Sequence, residues 1–303
     1  MGKRNRFAVE HVACNVCGAS SPVPFLRRAD RFGGELFEYS VCSQCGLIFL
    51  NPRPNLSELS KYYPSNYEAH YITDPKTRLE AWRLRRALDI QIAFVERFVP
   101  QRGRLLDIGC GTGSFLDRAR ENRWRVVGVE WVEQAAQLAR DYYGLEVLIG
   151  SGERIALPGE SCDLVTLWDV LEHVPDPSGT LSEGHRLLRN GGAIIFSVPN
   201  LRSFTRHLFG RTWAGWDAPR HLHLFTDNVI EQLLEMHGFR LEASACVLGE
   251  EGVFALSVEF LFGGRHFHRV IGLATALMWP YRQMAYALKR GGIITFVARK
   301  SRP

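Results

Sequence analysis

The sequence predicts an α/β fold, a parallel sheet covered by helices on both faces, and three observations predict it. Short aliphatic runs alternate with amphipathic stretches from residue 105 onward, the pattern of successive strand–helix units. A glycine-rich loop, Gly109 to Gly113, closes the first run and opens a helix. A carboxylate, Glu130, ends the second run, at the carboxyl edge where open α/β sheets bind ligands.

The elements follow in order. Residues 11–50 are rich in Cys and Gly and carry too little apolar mass for a core of their own. Residues 51–75 read as a linker punctuated by Pro52, Pro54 and Pro64. From Lys76 the pattern turns helical, with Leu84, Leu88, Ile92, Val95 and Val99 on one face and Pro100 and Gly103 ending it. Strands are predicted over 105–108, 126–129, 145–148, 164–167 and 193–198, with helices over 114–121, 133–142 and 178–188 between them. A helix over 227–236, for which Thr226 and Asp227 both suit as cap, leads to a strand over 239–247. Residues 293–298 read as the last strand. The organisation is therefore a cysteine module (11–50), a linker (51–75) and a large α/β domain (76–303). That domain carries a helical insertion at about 250–290.

Composition narrows the class. In 303 residues, 46% hydrophobic and 23% charged content is ordinary for a globular protein with a real core. The net charge of +5 permits an acidic small substrate but is too small to argue for nucleic acid. The basic opening MGKRNRF is followed by no apolar stretch, so no secretory leader is expected. No apolar run reaches the roughly 18 residues of a membrane span. Seven cysteines in such a chain point to a reducing, cytoplasmic setting, with thiols serving as metal ligands or small hydrophobes.

In Asp107-Ile-Gly109-Cys-Gly111-Thr-Gly113 the glycines allow positive φ and close backbone approach to a ligand, and the helix that follows offers unpaired N–H donors. A dinucleotide site needs a third glycine where Ser114 stands, and Asp107 would repel a pyrophosphate. That charge suits a ligand with a cationic amino-acid tail and no phosphate. Glu130 can accept hydrogen bonds from both ribose hydroxyls.

Cys14-x-x-Cys17 and Cys42-x-x-Cys45 form two knuckles, each able to offer two thiolates to one tetrahedral zinc, with Gly18 and Gly46 permitting the turns. Four thiolates leave no open position, so the metal is expected to be structural. Cys110, Cys162 and Cys246 read as structural thiols.

The segments LLDIGCGTGSFL, VVGVE, CDLVTLWDVLEHVPDP and LLRNGGAIIFSVPN, in this order, resemble class I S-adenosylmethionine-dependent methyltransferases. The resemblance implies a Rossmann-like, seven-stranded sheet with an antiparallel last strand. It implies that Asp107, Gly109, Gly111 and Gly113 bind near the methionine moiety, that Glu130 holds the ribose and that Trp131 lies against the adenine. Trp168 and Asp169, after the fourth strand, complete the implied cofactor site. Relatives carry Gly-Asp before the fourth strand, where this chain has Gly150-Ser151-Gly152-Glu153; Glu153 or backbone is left to read the adenine. The cysteine pairs with GLIFLNPRP and the following Tyr-Tyr-Pro resemble bacterial small-molecule methyltransferases of polysaccharide and secondary-metabolite pathways. They also resemble, less completely, the sugar C-methyltransferases with a zinc-binding N-terminal domain. Tyr62, Tyr63 and Tyr67 would then help to cover a substrate pocket, which deleting residues 1–70 would test.

Transfer from a sulfonium is an in-line displacement, and an acceptor hydroxyl or activated carbon also needs a base. His173 follows the fourth strand; His221 and His223 lie in a long Trp- and His-rich loop after the fifth. His221-Leu222 matches the base-bearing step of the sugar C-methyltransferases, although Arg220 stands where an acid is often found. His173 and His223 are the other candidates; the bland reading for each of the three is a histidine that caps a turn or bonds a backbone carbonyl, and for His223 it is the favoured one. Asp169, Glu172, His173 and His221 could instead gather a divalent ion, as similar Glu/His sets do in some quinone and small-RNA O-methyltransferases, although the first ligand there is usually Glu where this chain has Asp169. Arg202, Arg206, Arg211 and Arg220 read either as a phosphate clamp or as a solvated basic face. The insertion over 253–287 has the composition of a membrane-surface contact and equally of core packing or a homodimer contact. The expected activity is O- or C-methylation of a small-molecule acceptor, with a sugar or sugar nucleotide favoured. An RNA methyltransferase is the rival, disfavoured by the low charge and the absence of an Asn/Asp-Pro-Pro-Tyr signature.

Overall fold

The computed structural model describes residues 8–63, 77–262 and 279–301. Five short strands open the chain: β1 (Val9–Glu10), β2 (Pro22–Ala29), β3 (Leu36–Cys42), β4 (Ile48–Leu50) and β5 (Arg53–Pro54), followed by the single turn α1 (Leu56–Leu59). Helix α2 (Arg78–Phe98) begins at a capping box in which Thr77 Oγ1 accepts from Glu80 N and the Glu80 carboxylate accepts from Thr77 N. The alternation then runs β6 (Arg104–Ile108), α3 (Ser114–Glu121), β7 (Arg125–Glu130), α4 (Glu133–Tyr143), β8 (Val147–Ile149), β9 (Cys162–Trp168), α5 (Pro177–Leu187) and β10 (Leu188–Pro199). The chain closes with α6 (Phe204–Phe209), β11 (His223–Leu224), α7 (Asp227–Met236), β12 (Phe239–Ala245), α8 (Glu250–Leu261), α9 (Trp279–Ala287) and β13 (Ile293–Lys300).

Two compact units divide these elements. One comprises residues 65–197, 231–248 and 295–303 and holds the predicted α/β sheet, seven strands in the order β12-β13-β10-β9-β6-β7-β8. Strands β6 to β10 pair in parallel, and β13 runs antiparallel to β12. Strands covered on both faces must be apolar nearly throughout, and β9 is buried from Cys162 to Leu167. Ile92, Val95 and Val99 of the α2 face pack with Leu105, Phe115, Leu116, Ala136, Ala139, Ile195 and Val297. The third strand is shorter than its apolar run. Gly144 ends α4 in the left-handed region (φ 63°) and Leu145 N reaches back to Ala139 O, so Leu145 belongs to the helix cap. Thr226 Oγ1 accepts from Val229 N and is the cap of α7.

The other unit comprises residues 1–64, 198–230 and 249–294. Its four-stranded sheet runs β11-β4-β3-β2, antiparallel throughout, with β1 and β5 paired beside it. Residues 11–50 lack the apolar mass for a core, and the chain after β10 supplies it. Trp213, Trp216, Leu222 and Leu224 pack with Leu26, Phe37, Tyr39, Ile48 and Leu50. In the same unit the buried Glu250 carboxylate accepts from Tyr281 Oη (2.9 Å) and from Gly292 N, joining α8 to α9. Leu273 and Leu277 of the predicted insertion, and Tyr67, lie outside the described residues. Among the described residues no helix is long and apolar enough to cross a membrane.

Candidate active site

The predicted cofactor residues lie at the carboxyl edge of the seven-stranded sheet. The three glycines have positive φ of 72°, 54° and 86°, which L side chains adopt at a cost. They differ in what surrounds them. A methyl on Gly109 would meet Val170 Cγ2 at 2.6 Å, and one on Gly113 would meet Leu145 Cδ1 at 2.5 Å. One on Gly111 would meet nothing within 4 Å. Gly109 and Gly113 therefore serve close packing, and Gly111 is where the backbone lies open to a ligand. Gly113 is also the N-cap of α3, so helix N–H groups begin there.

Two acids flank the loop. Asp107 is 3% exposed, and Thr166 Oγ1 donates to its Oδ1 at 2.6 Å. Burial pushes the Asp107 carboxyl up to about 7, against the Thr166 bond, with Glu130 adding to the rise. Glu130, equally buried, accepts from Gly111 N (2.8 Å) through Oε2 and from Val132 N (2.9 Å) through Oε1. It thus ties down the open part of the glycine loop, and with a further backbone contact from Trp131 it keeps one of its four lone-pair sites for a ligand hydroxyl. Glu130→Gln would set an amide NH2 against one of those N–H donors. We expect S-adenosylhomocysteine affinity to fall at least tenfold, as for a buried donor left unsatisfied, with faster hydrogen exchange over 109–113. Unchanged exchange would remove the tie from the account.

The remaining predicted cofactor residues lie around this edge. Trp131, 43% exposed, follows Glu130 directly. Glu153 is half-buried beside the first turn of α5, its Cγ 3.6 Å from where a methyl on Gly179 would sit. Trp168 packs edge-on against Phe115 (centroids 5.3 Å) and leans on the core. Asp169 is exposed in the left-handed region (φ 55°), a conformation that costs a non-glycine residue about 1 kcal/mol or more. Its place is held by Ser197, whose Oγ donates to Asp169 Oδ1 (2.6 Å) and accepts from Asp169 N (2.9 Å). Glu172 is buried; burial and then Asp169 push its carboxyl well above the usual carboxylate range. Its Oε2 has no hydrogen-bond partner among the described residues. His173 closes the turn, its N donating to Val170 O.

His221 belongs to the other unit. Its Nδ1 lies 2.9 Å from Gly215 O, a contact that places the proton on Nδ1 and the lone pair on Nε2. Burial holds the imidazole below its ordinary value, against the pull of Asp217, so it is neutral at pH 7. His223 is fully buried, with Nε2 3.2 Å from Asn15 Oδ1 and its ring stacked on Phe225. Arg220 is neither a solvated face nor a phosphate clamp. It is fully buried, with Nε and Nη2 on the two oxygens of Asp217 (2.8 and 2.6 Å) and Nη1 on Asp30 (2.9 Å). Arg202 pairs with Asp227 (2.6 Å), and Arg206 lies over Trp216. Sequence reasoning does not single out Thr166 or Ser197, although each is the one hydroxyl in an apolar run, 164–167 and 193–198; Asp30 and Tyr39 give no local signal.

The four sulfurs of Cys14, Cys17, Cys42 and Cys45 lie within 4.8 Å of one another, with Cys14–Cys45 and Cys17–Cys42 at 3.4 Å. A tetrahedral zinc with Zn–S of about 2.3 Å sets its sulfurs about 3.8 Å apart, so this donor set fits one ion. The knuckles match: Gly18 N donates to Cys14 O (2.9 Å) and Gly46 N to Cys42 O (3.0 Å), with φ of 74° and 80°.

A seven-stranded sheet with a glycine loop and an acid at the second strand end defines a class I S-adenosylmethionine-dependent methyltransferase domain. The chain belongs to the Methyltransferase domain family, whose pattern matches residues 80–244, more than half of its length. It is 31% identical over 159 residues to a probable S-adenosylmethionine-dependent methyltransferase of Mycolicibacterium smegmatis, covering 51% of this chain and 59% of that protein. It is 34% identical over 117 residues to a ubiquinone biosynthesis O-methyltransferase of Aromatoleum aromaticum, covering 35% and 47%. The chain thus spans about half to three fifths of these relatives. A solved S-adenosylmethionine-dependent methyltransferase of Thermotoga maritima, described as a possible histamine N-methyltransferase, shares the fold with TM-score 0.51 at 19% identity. That match covers 80% of this chain and 99% of that one.

Proposed function

We propose that this protein transfers a methyl group from S-adenosylmethionine to a hydroxyl or activated carbon of a small-molecule acceptor, with His221 as general base and a structural zinc on its four cysteines. The observation that carries this reading is the carboxyl-edge constellation: an open Gly111 backbone, a buried Asp107 and a Glu130 with spare acceptor capacity. S-adenosylmethionine supplies an electrophilic sulfonium methyl. Asp107 in its ionised form would attract the cofactor's ammonium group, the glycine loop would admit its tail, and Glu130 would orient the ribose. Trp131 offers an exposed ring to the adenine and Glu153 a neighbouring acceptor. With its lone pair on Nε2, His221 would take the acceptor's proton.

His221→Ala should lower kcat by about 10²–10⁴-fold, the usual contribution of a positioned base, while S-adenosylhomocysteine binds as before. In the unaltered protein the acidic limb of kcat should lie below the ordinary histidine range, because burial lowers the pKa and the neutral form survives to lower pH. A screen with radiolabelled S-adenosylmethionine over sugar nucleotides, glycan precursors and polyphenols would supply the acceptor; an active His221→Ala enzyme would refute the assignment. Sugars come first because of the sequence resemblance.

One observation favours a second reading. The buried Glu172 Oε2 has no hydrogen-bond partner among the described residues, and ligand atoms of Glu172 and His173 lie within 4.8 Å of one another; they would help to hold a divalent ion, as befits a quinone-type O-methyltransferase. Activity lost to a chelator and restored by magnesium alone would select it.

A further inference from the structure

The loop that bears His221 is pinned from the cysteine-bearing sheet. Asp30, at the end of β2, uses Oδ2 to accept from Phe32 N (3.1 Å) and Gly33 N, which fixes its own turn, and Oδ1 to accept from Arg220 Nη1. Arg220 also donates to Tyr62 O (3.1 Å) and, through two nitrogens, to Asp217. The Asp217 carbonyl in turn accepts from His221 N (2.9 Å). On the other side of the residue, Tyr39 Oη donates to His221 O at 2.8 Å, and Leu50 N donates to Leu222 O at 2.9 Å. Tyr39 and Arg220 are fully buried, and Asp30 and Asp217 are nearly so.

A guanidinium taken wholly out of water is expensive unless every donor is engaged, and here one arginine is engaged by two carboxylates and a carbonyl. Such a buried network adds little net stability over an apolar replacement, but it admits few geometries. Its position is the telling point, because it fixes the peptide groups before and after one histidine while the imidazole itself rests on Gly215 O.

We propose that Asp30 and Tyr39 are positioning residues that hold the His221 imidazole in a single tautomer and orientation. The proposal rests on reading His221 as the base, and makes the cysteine-bearing sheet the holder of that base.

Histidine-selective 15N NMR of the full-length, zinc-replete protein with S-adenosylhomocysteine tests this without an acceptor. The unaltered protein should show His221 as the Nδ1–H tautomer with a slowly exchanging ring proton. In Tyr39→Phe, which keeps the ring and its packing, that proton should exchange at least tenfold faster and the two nitrogen shifts should move toward each other as tautomers mix. The signals of His185 and His237, which belong to the other unit, should stay in place. Asp30→Asn, which removes the charge and sets an amide NH2 against either Arg220 or the Phe32 and Gly33 N–H donors, should act in the same direction, and Asp30→Glu should partly restore the original signal. Unmoved His221 signals in folded Tyr39→Phe would overturn the proposal. Full activity of His221→Ala would instead overturn the base assignment and leave the NMR result standing, so the two failures are distinguishable.

Discussion

Cys42→Ser should yield a protein that binds no zinc and melts at least 10 °C below the unaltered chain, the largest loss of stability expected from any single substitution. Structural zinc contributes on the order of 10 kcal/mol to small thiolate-bound modules, and three remaining thiols cannot complete the tetrahedron. Cys42 ends β3 and its N–H donates to Leu47 O at 2.8 Å, so the knuckle and the β3–β4 connection would loosen together. Tyr39 and Leu50 share that sheet and that core with Leu222 and Leu224, and the His221 loop should go with it. Elemental analysis should find one zinc per chain, falling to none in the variant. Chelated protein should recover its melting temperature with zinc and not with magnesium. A metal-free chain melting like the original would show that the cluster is only a group of buried thiols.

Asp107→Asn should separate stability from function. The Asp107 carboxyl, raised by burial to about 7, ionises near pH 4 in the unfolded chain and only near pH 7 in the folded one. The folded state therefore holds the extra proton between those limits, and stability contributed by this group falls as pH rises through that window and stays low above it. Asparagine carries no charge at any pH and keeps an oxygen for Thr166. The variant should be more stable than the original by roughly 1–3 kcal/mol at pH 8, with the advantage gone below about pH 4. Cofactor affinity should move the opposite way, dropping ten- to a hundredfold at pH 8 through loss of a buried charge partner for the ammonium. The unaltered protein should itself bind more weakly as pH falls below 7. Calorimetry across pH 4–8, with and without S-adenosylhomocysteine, measures both; equal affinity at pH 8 would place the ammonium elsewhere.

The α/β unit was legible because its signals are local. Period, β-branched content and glycine punctuation in LLDIGCGTGSFL and CDLVTLWDV act within a few residues, and the helices over 114–121 and 227–236 match their predicted bounds. The burial of Arg220 was not legible, since it depends on Asp30, distant in sequence, and a lone arginine in a loop reads as solvated or as an anion ligand. Nor was the pairing of β11 with β4, because two residues, His223–Leu224, carry no periodicity. The cysteine spacing announced a metal site but not what shares its core.

That shared core bears on how such a protein can be cut, spliced or inherited. Removing residues 1–70 would strip β11 of its neighbour β4 and leave Trp213, Leu222 and Leu224 without the side chains that cover them. Such a truncation reports on solubility before it reports on substrate capture. In chimaeras with related enzymes, the N-terminal segment and residues 198–230 would have to be exchanged together. A single crossover between them would join two halves of different cores.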